Sequence, residues 1–179
     1  RAERQKIAFS KMQTSGNDYI YFDNRDGSIT SPESLAIRVC DRHRGIGGDG
    51  IVLIEKSTVA NAKMRIFNRD GSEGRMAGNG IRCVAKYLYD KKLVKKEKMK
   101  IETASGVKTL RVYTYGNEVR SVSVEMGKAS LNPSEVPVTL AGPTVLDRPV
   151  VIGGREYRIN CVSMGNPHCI VFCDRVDAV

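Results

Sequence analysis

The segment from Gly80 to Leu88 carries Ile81, Cys83, Val84, Ala85, Tyr87 and Leu88, leaving only Arg82 and Lys86, four residues apart, as a polar edge. The spacing predicts a helix with apolar side chains over most of its circumference. Such a helix needs to be enclosed, and the rest of the chain supplies strands to enclose it. Period-two apolar patterns recur at Ile7–Met12, Tyr19–Phe22, Ile51–Ile54, Met64–Phe67, Met99–Thr103, Leu110–Tyr115, Val119–Met126, Val150–Ile152, Tyr157–Val162 and Cys169–Phe172. A sheet wrapped around the helix, open only at the helix N-terminus, is the arrangement these patterns favour.

An earlier helix begins at Ser31-Pro32-Glu33, a cap residue followed by proline at the first helical position, and runs through Leu35, Ala36, Val39 and Cys40 until Gly45. Composition changes after Met126-Gly127, where Pro133, Pro137, Gly142 and Pro143 interrupt the strands. Two domains are expected, residues 1–127 and residues 128–179. The second has few strands and no helix of its own, which reads as a domain cut short.

With 41% apolar content the 179 residues can build real cores, which argues against disorder. Arg1–Gln5 are polar and lack an initiator methionine, as a processed or engineered end does, and no apolar run of signal or membrane length follows. A soluble cytoplasmic protein without membrane association is expected. The net charge of +9 owes much to six lysines in one stretch, Lys91, Lys92, Lys95, Lys96, Lys98 and Lys100. They follow a helix end, where the dipole favours cations, and no aromatics interleave them, so a solvated patch is favoured over nucleic-acid binding. Five cysteines, Cys40, Cys83, Cys161, Cys169 and Cys173, lie in apolar segments without Cys-x-x-Cys spacing, so they are expected to be reduced and mostly in the core. Cys169 and Cys173 share strand parity but lack two further ligands, and no metal site is expected.

Ahead of the buried helix, Phe67-Asn68-Arg69-Asp70-Gly71-Ser72-Glu73-Gly74-Arg75-Met76-Ala77-Gly78-Asn79-Gly80 brings a strand end and a glycine-rich turn onto the helix start. There the first helical amides have no intrahelical partner, glycine lets a ligand approach the backbone, and a carboxylate is the natural guest. Gly-Asn pairs recur at Gly16-Asn17, Gly78-Asn79 and Gly165-Asn166, with Asn68 closing a further strand. Turns use such pairs constantly. Converging, their amides could also hold both ends of a zwitterion without adding net charge, which makes an amino acid a candidate ligand. Gly45-Ile46-Gly47-Gly48-Asp49-Gly50 follows a helix, precedes a strand and lacks Gly-Lys-Ser/Thr, so it reads as a tight connection at the pocket rim, with glycines for close backbone packing, rather than a phosphate loop. His168, beside Asn166-Pro167, has a structural reading and a ligand-facing one; His43, in Arg42-His43-Arg44 at a helix end, fits dipole compensation.

These residues resemble the diaminopimelate epimerase family of pyridoxal-independent amino acid racemases. The resemblance rests on Phe9-Ser10-Lys11-Met12-Gln13 with Ser15-Gly16-Asn17-Asp18-Tyr19, on Arg44–Gly50, on the 67–83 stretch and on Met164-Gly165-Asn166-Pro167-His168, in the family's order. It implies an α+β fold of two similar domains, each a β-sheet wrapped around a central helix, with the second incomplete here. It also implies a homodimer without a cofactor, acting on diaminopimelate in lysine and peptidoglycan precursor synthesis. One cysteine, as thiolate, would remove the α-proton while another returns a proton to the opposite face, each at a helix N-terminus that lowers its pKa and binds the α-carboxylate. By position, Asn17, Asn68, Gly78, Asn79 and Asn166 would contact substrate and His168 would assist.

Two departures accompany the resemblance. The position of the first catalytic cysteine is Ala77, which cannot exchange a proton, and Cys83 lies on the buried body of the helix. Loss of one general base costs about 10²- to 10⁴-fold in rate. The rest of the motif is intact, which favours engineered removal of the base over natural loss of activity. The chain also stops at Val179, before the later substrate contacts and the second cysteine. An inactive epimerase is therefore expected, with a racemase of another amino acid such as histidine, or a catalytically dead amino-acid-binding protein, as alternatives.

Overall fold

The computed structural model describes residues 6–75 and 78–178. The alternating segments form β1 (Ser10–Thr14), β2 (Asn17–Asp23), β3 (Gly50–Glu55), β4 (Ala62–Asn68), a two-residue β5 (Glu73–Gly74), β6 (Lys98–Thr103), β7 (Gly106–Tyr115) and β8 (Glu118–Val124). They make one sheet in the order β1-β2-β3-β4-β6-β7-β8, with β5 folded back on β4. The β2–β3 and β4–β6 pairs are parallel and the others antiparallel. The chain divides between Glu125 and Met126 into two compact units, and this sheet belongs to the first.

Helix α2 (Gly78–Asp90) packs against β1, β2, β7 and β8, so both ends of the strand order reach it and the sheet curls around it. Ile81, Val84, Ala85 and Leu88 are inaccessible or nearly so, and meet Tyr21, Val52, Ile54, Met64, Ile66, Met99, Ile101, Leu110 and Val112. The opposite face of the sheet is covered by α1 (Pro32–Val39), whose Ala36, with Cys40 just beyond, packs on Ile20, Phe22, Ile51, Leu53 and Phe67. Alternate residues of β2, β3 and β4 thus serve two different cores. β3 is buried on both faces, which explains the uninterrupted Ile51-Val52-Leu53-Ile54 run.

α1 is shorter than expected. It ends at Val39, and the chain from Asp41 to Gly45 is a turn in which the Asp41 carboxylate accepts the His43 and Arg44 amides, each at 2.8 Å. His43 therefore lies beyond the helix, and Arg38 is the cation of its last turn. The Ile46 and Gly47 amides instead return to the Val39 carbonyl, at 2.8 and 2.9 Å. A Cβ on Gly45 would stand 2.6 Å from the Arg38 and Val39 carbonyl oxygens, so the reversal needs glycine. Ser31 does not act as a side-chain cap; its carbonyl accepts the Leu35 amide instead.

The second unit holds a three-stranded antiparallel sheet, β11-β10-β9, from β9 (Arg148–Ile152), β10 (Arg155–Ser163) and β11 (Pro167–Val171). Its core is Val136, Val145, Ile159 and Cys161, with Val150, Tyr157 and Val171 half-buried against them. A single 3-10 turn, Val176–Ala178, is the helical element described there. Of the five cysteines, Cys40, Cys83 and Cys161 are buried as expected, whereas Cys169 and Cys173 are exposed. Cys169 lies on the edge strand β11, and Cys173 follows it. No helix among the described residues is long and apolar enough to cross a membrane.

Candidate active site

Three loops meet at the start of α2. β4 delivers Asn68 to a turn in which Asn68 N–H donates to the Ser72 carbonyl at 2.8 Å, and Ser72 N–H donates to the Asp70 carboxylate at 2.9 Å. β5 then returns along β4, fixed by a two-point ion pair of Arg65 with Glu73, 2.7 and 2.9 Å. The chain enters α2 at Gly78. Ala77, the position matched to the missing cysteine, lies outside the described residues. The β1–β2 turn, with Ser15 and Gly16 at positive φ, presents Asn17. The glycine-rich connection before β3 presents Asp49.

Asn17 and Asn79 hold each other. Asn79 Nδ2 donates to Asn17 Oδ1 at 2.7 Å, Arg82 donates to Asn79 Oδ1, and Asn17 Nδ2 donates to Asp49 Oδ2 at 3.3 Å. The Asp49 carboxylate also accepts the Asp18 amide at 3.2 Å. Arg42 grips Asp18 with two bonds, 2.9 and 2.6 Å, and reaches Asp49 at 3.3 Å. Lys11 pairs with Asp18 at 2.9 Å and donates to the Gly47 carbonyl. The Arg42 guanidinium beside Asp18 holds its carboxyl well below the usual carboxylate range, against the opposing effect of partial burial. Charge thus ties the β1–β2 turn to the glycine-rich connection, and the Asn17–Asn79 bond ties both to the first turn of α2. The first amides of a helix have no intrahelical acceptor, so the backbone N–H groups of this turn are not used within α2.

Beneath the turn, the buried Tyr21 hydroxyl donates to the Gly80 carbonyl at 3.0 Å. Burial pushes the Cys83 thiol up, and the neighbouring Tyr21 hydroxyl offsets this in part. A buried, protonated thiol is a poor base, so Cys83 cannot stand in for a cysteine at position 77.

Asn68 keeps its amide to its own turn, donating to Ser72 Oγ at 3.0 Å. It also lines, with Ile37, Asp41, Asp49, Arg69 and Asp70, a cavity of about 560 Å³ beside the loops. Asn166 and His168 belong to the second unit, where His168 Nε2 and Asn166 Oδ1 lie 3.2 Å apart on an exposed turn and strand start. The glycine-rich connection does more than pack tightly, because its Asp49 anchors Asn17 and Arg42. Asp18, Arg42, Asp49 and Arg82 are participants that the sequence reading passed over. The spacing held a signal for Arg82, which lies three residues from Asn79 and so on the same helix face. Among the described residues no group of three or more His, Cys, Asp or Glu side chains is placed to hold a metal ion.

A sequence profile describing diaminopimelate epimerase matches residues 9–132, which covers the β1–β2 turn, the glycine-rich connection and the whole start of α2. The chain belongs to the diaminopimelate epimerase family. Family relatives named diaminopimelate epimerase include one from Agathobacter rectalis, 46% identical over 95% of this chain and 62% of its own length. Another, from Methanococcus maripaludis, is 46% identical over 96% and 62%. A third, from Acetivibrio thermocellus, is 43% identical over 96% and 61%. The chain thus spans about three fifths of the length of these family members. Among solved structures, a hydroxyproline epimerase from Agrobacterium vitis superposes with a TM-score of 0.65 at 15% identity, over 91% of this chain and half of that one. A PhzF-family phenazine biosynthesis protein from Bacillus anthracis superposes with a TM-score of 0.60 at 18% identity, over 92% and 54%. These establish that the α+β fold of the diaminopimelate epimerase family is shared well beyond sequences that resemble it closely.

Proposed function

We propose that this chain is part of an enzyme that epimerises diaminopimelate at Cα without a cofactor, and that as written it holds the amino acid without inverting it. The observation that carries the reading is the first turn of α2, presented at the loops and locked from the side by Asn17 and Arg82 through Asn79. An amino acid Cα–H is far less acidic than a thiol, so the carbanion needs positive potential aimed at its carboxylate. A helix N-terminus supplies that potential. Gly78 and Asn79 would offer their amides to the α-carboxylate, while Asn17, Asn68 and Asn166 contact the remaining polar groups and His168 assists. A thiolate at position 77 would take the Cα proton, and a thiol from the opposite side would give one back to the other face. Alanine at 77 removes the first of these steps.

The reading takes residues 1–127 as one epimerase domain and 128–179 as the opening of a second. A homodimer working in the cytoplasm on lysine and peptidoglycan precursors goes with it, on the family resemblance alone.

The test is Ala77→Cys in a chain extended through the second domain, following deuterium uptake from solvent at Cα of LL- and meso-diaminopimelate. Uptake with both isomers, and none with histidine, is expected. Uptake with histidine alone would move the substrate, and binding without uptake would leave an amino-acid-binding protein.

A further inference from the structure

Cys161 on β10 and Cys169 on β11 face each other in the antiparallel register. The Cys161 N–H donates to the Val145 carbonyl at 2.8 Å, away from β11. Two residues on, Ser163 N–H donates to the Ser130 carbonyl at 2.8 Å, and its partner on β11 is Pro167, which has no N–H. Cys161 and Cys169 therefore form a non-hydrogen-bonded pair, the kind in which Cα atoms stand about 4.5 Å apart and side chains come closest. That spacing falls within the roughly 4.4–6.8 Å that a disulfide spans. Directly opposed Cβ atoms are about 4.5–5.5 Å apart, against about 3.5–4.5 Å in a disulfide, so closing the bond draws in the edge strand and leaves the bond easy to reduce.

Access to the two thiols is unequal. Cys161 is 3% exposed, while Cys169 is open to solvent. Burial, and then the Cys169 thiol beside it, push the Cys161 thiol up.

We propose that Cys161 and Cys169 are an oxidisable dithiol, a modification site that takes low-molecular-weight disulfides such as glutathione disulfide as its oxidant. The Cys169 thiolate attacks one sulfur of glutathione disulfide and expels one glutathione thiolate, which leaves a mixed disulfide at Cys169. Cys161, after losing its proton to solvent, attacks Cys169 Sγ and expels the second glutathione. Two protein thiols are oxidised, one small disulfide is reduced to two thiols, and an excess of reduced thiol reverses both steps. The bond would pull on the strand that begins Pro167-His168, next to Asn166, so the oxidised and reduced forms differ where this unit presents those side chains. The proposal is independent of which amino acid, if any, the protein binds.

The test treats the present chain with glutathione disulfide, counts free thiols and maps disulfide-linked peptides by mass spectrometry. Free thiols are expected to fall from five to three, with a loss of about 2 Da and one cross-linked peptide pair joining Cys161 to Cys169. Cys173→Ser should leave the product unchanged, and the exposed Cys169→Ser should abolish it. A Cys169–Cys173 bond, a glutathione adduct that persists at Cys169 while Cys161 stays free, or five unreacted thiols would each overturn the proposal.

Discussion

The Asn79 side-chain amide donates to Asn17 Oδ1 at 2.7 Å, joining residues 62 apart in sequence. The contact turns two turn-forming asparagines into a clamp. One amide group is spent on holding the other, with Arg82 and Asp49 closing the two free ends.

Removing that clamp should loosen the first turn while sparing the core. Asn17→Ala is expected to speed hydrogen exchange of the Gly78–Arg82 amides and to lower unfolding free energy by about 0.5–1.5 kcal/mol, the net worth of an ordinary hydrogen bond. Exchange unchanged at those amides would mean the clamp does not order the turn.

Burial of α2 predicts a steep contrast between two apolar truncations. Ile81 is 0% exposed and Val59 is 64% exposed. In urea denaturation Ile81→Ala should cost about 2–5 kcal/mol, and Val59→Ala no more than about 0.5 kcal/mol. Equal effects would contradict a helix enclosed by the curled sheet.

Asp18 should weigh on acid stability. Its carboxyl is depressed in the folded state, chiefly by Arg42, so its contribution is complete above the ordinary aspartate pKa of about 3.9 and is lost as pH falls toward the folded value. Urea midpoints measured from pH 7 to pH 2 should therefore fall less steeply for Asp18→Asn than for the parent chain. An identical acid limb would show that the Lys11–Asp18–Arg42 cluster contributes nothing measurable.

Thiol accessibility offers a further check. In the native chain at mildly alkaline pH, a bulky aromatic disulfide reagent should modify Cys169 and Cys173 at once. Cys40, Cys83 and Cys161 are buried and their thiols are pushed up by burial, so they should react only on unfolding. Rapid modification of Cys83 would show that the cavity of about 220 Å³ beside α2, which Arg82, Cys83 and Lys86 line, admits the reagent to the buried thiol.

Much of this architecture could be read in advance because it is written in periodicity. The helix around Ile81 to Leu88 and the longer strands lie where apolar spacing put them, since burial of a face follows directly from which residues are apolar. The two-residue β5 left no pattern, because two residues carry no period. α1 stopped early because Asp41 offers the next amides a competing acceptor and the chain reverses at Gly45. Cys169 sits in an apolar run yet is exposed, because the run forms an edge strand.

The sequence by itself determined that α2 must be buried and that its first amides lack intrahelical partners, because apolar spacing and missing amide partners are local properties. It also carried enough of the family's motifs to identify the family. Only the tertiary structure decided what locks that start. Asn17, the Arg42–Asp49 connection and Arg82 lie far apart along the chain, and their charges and amides meet only once the curled sheet brings two loops to one helix end.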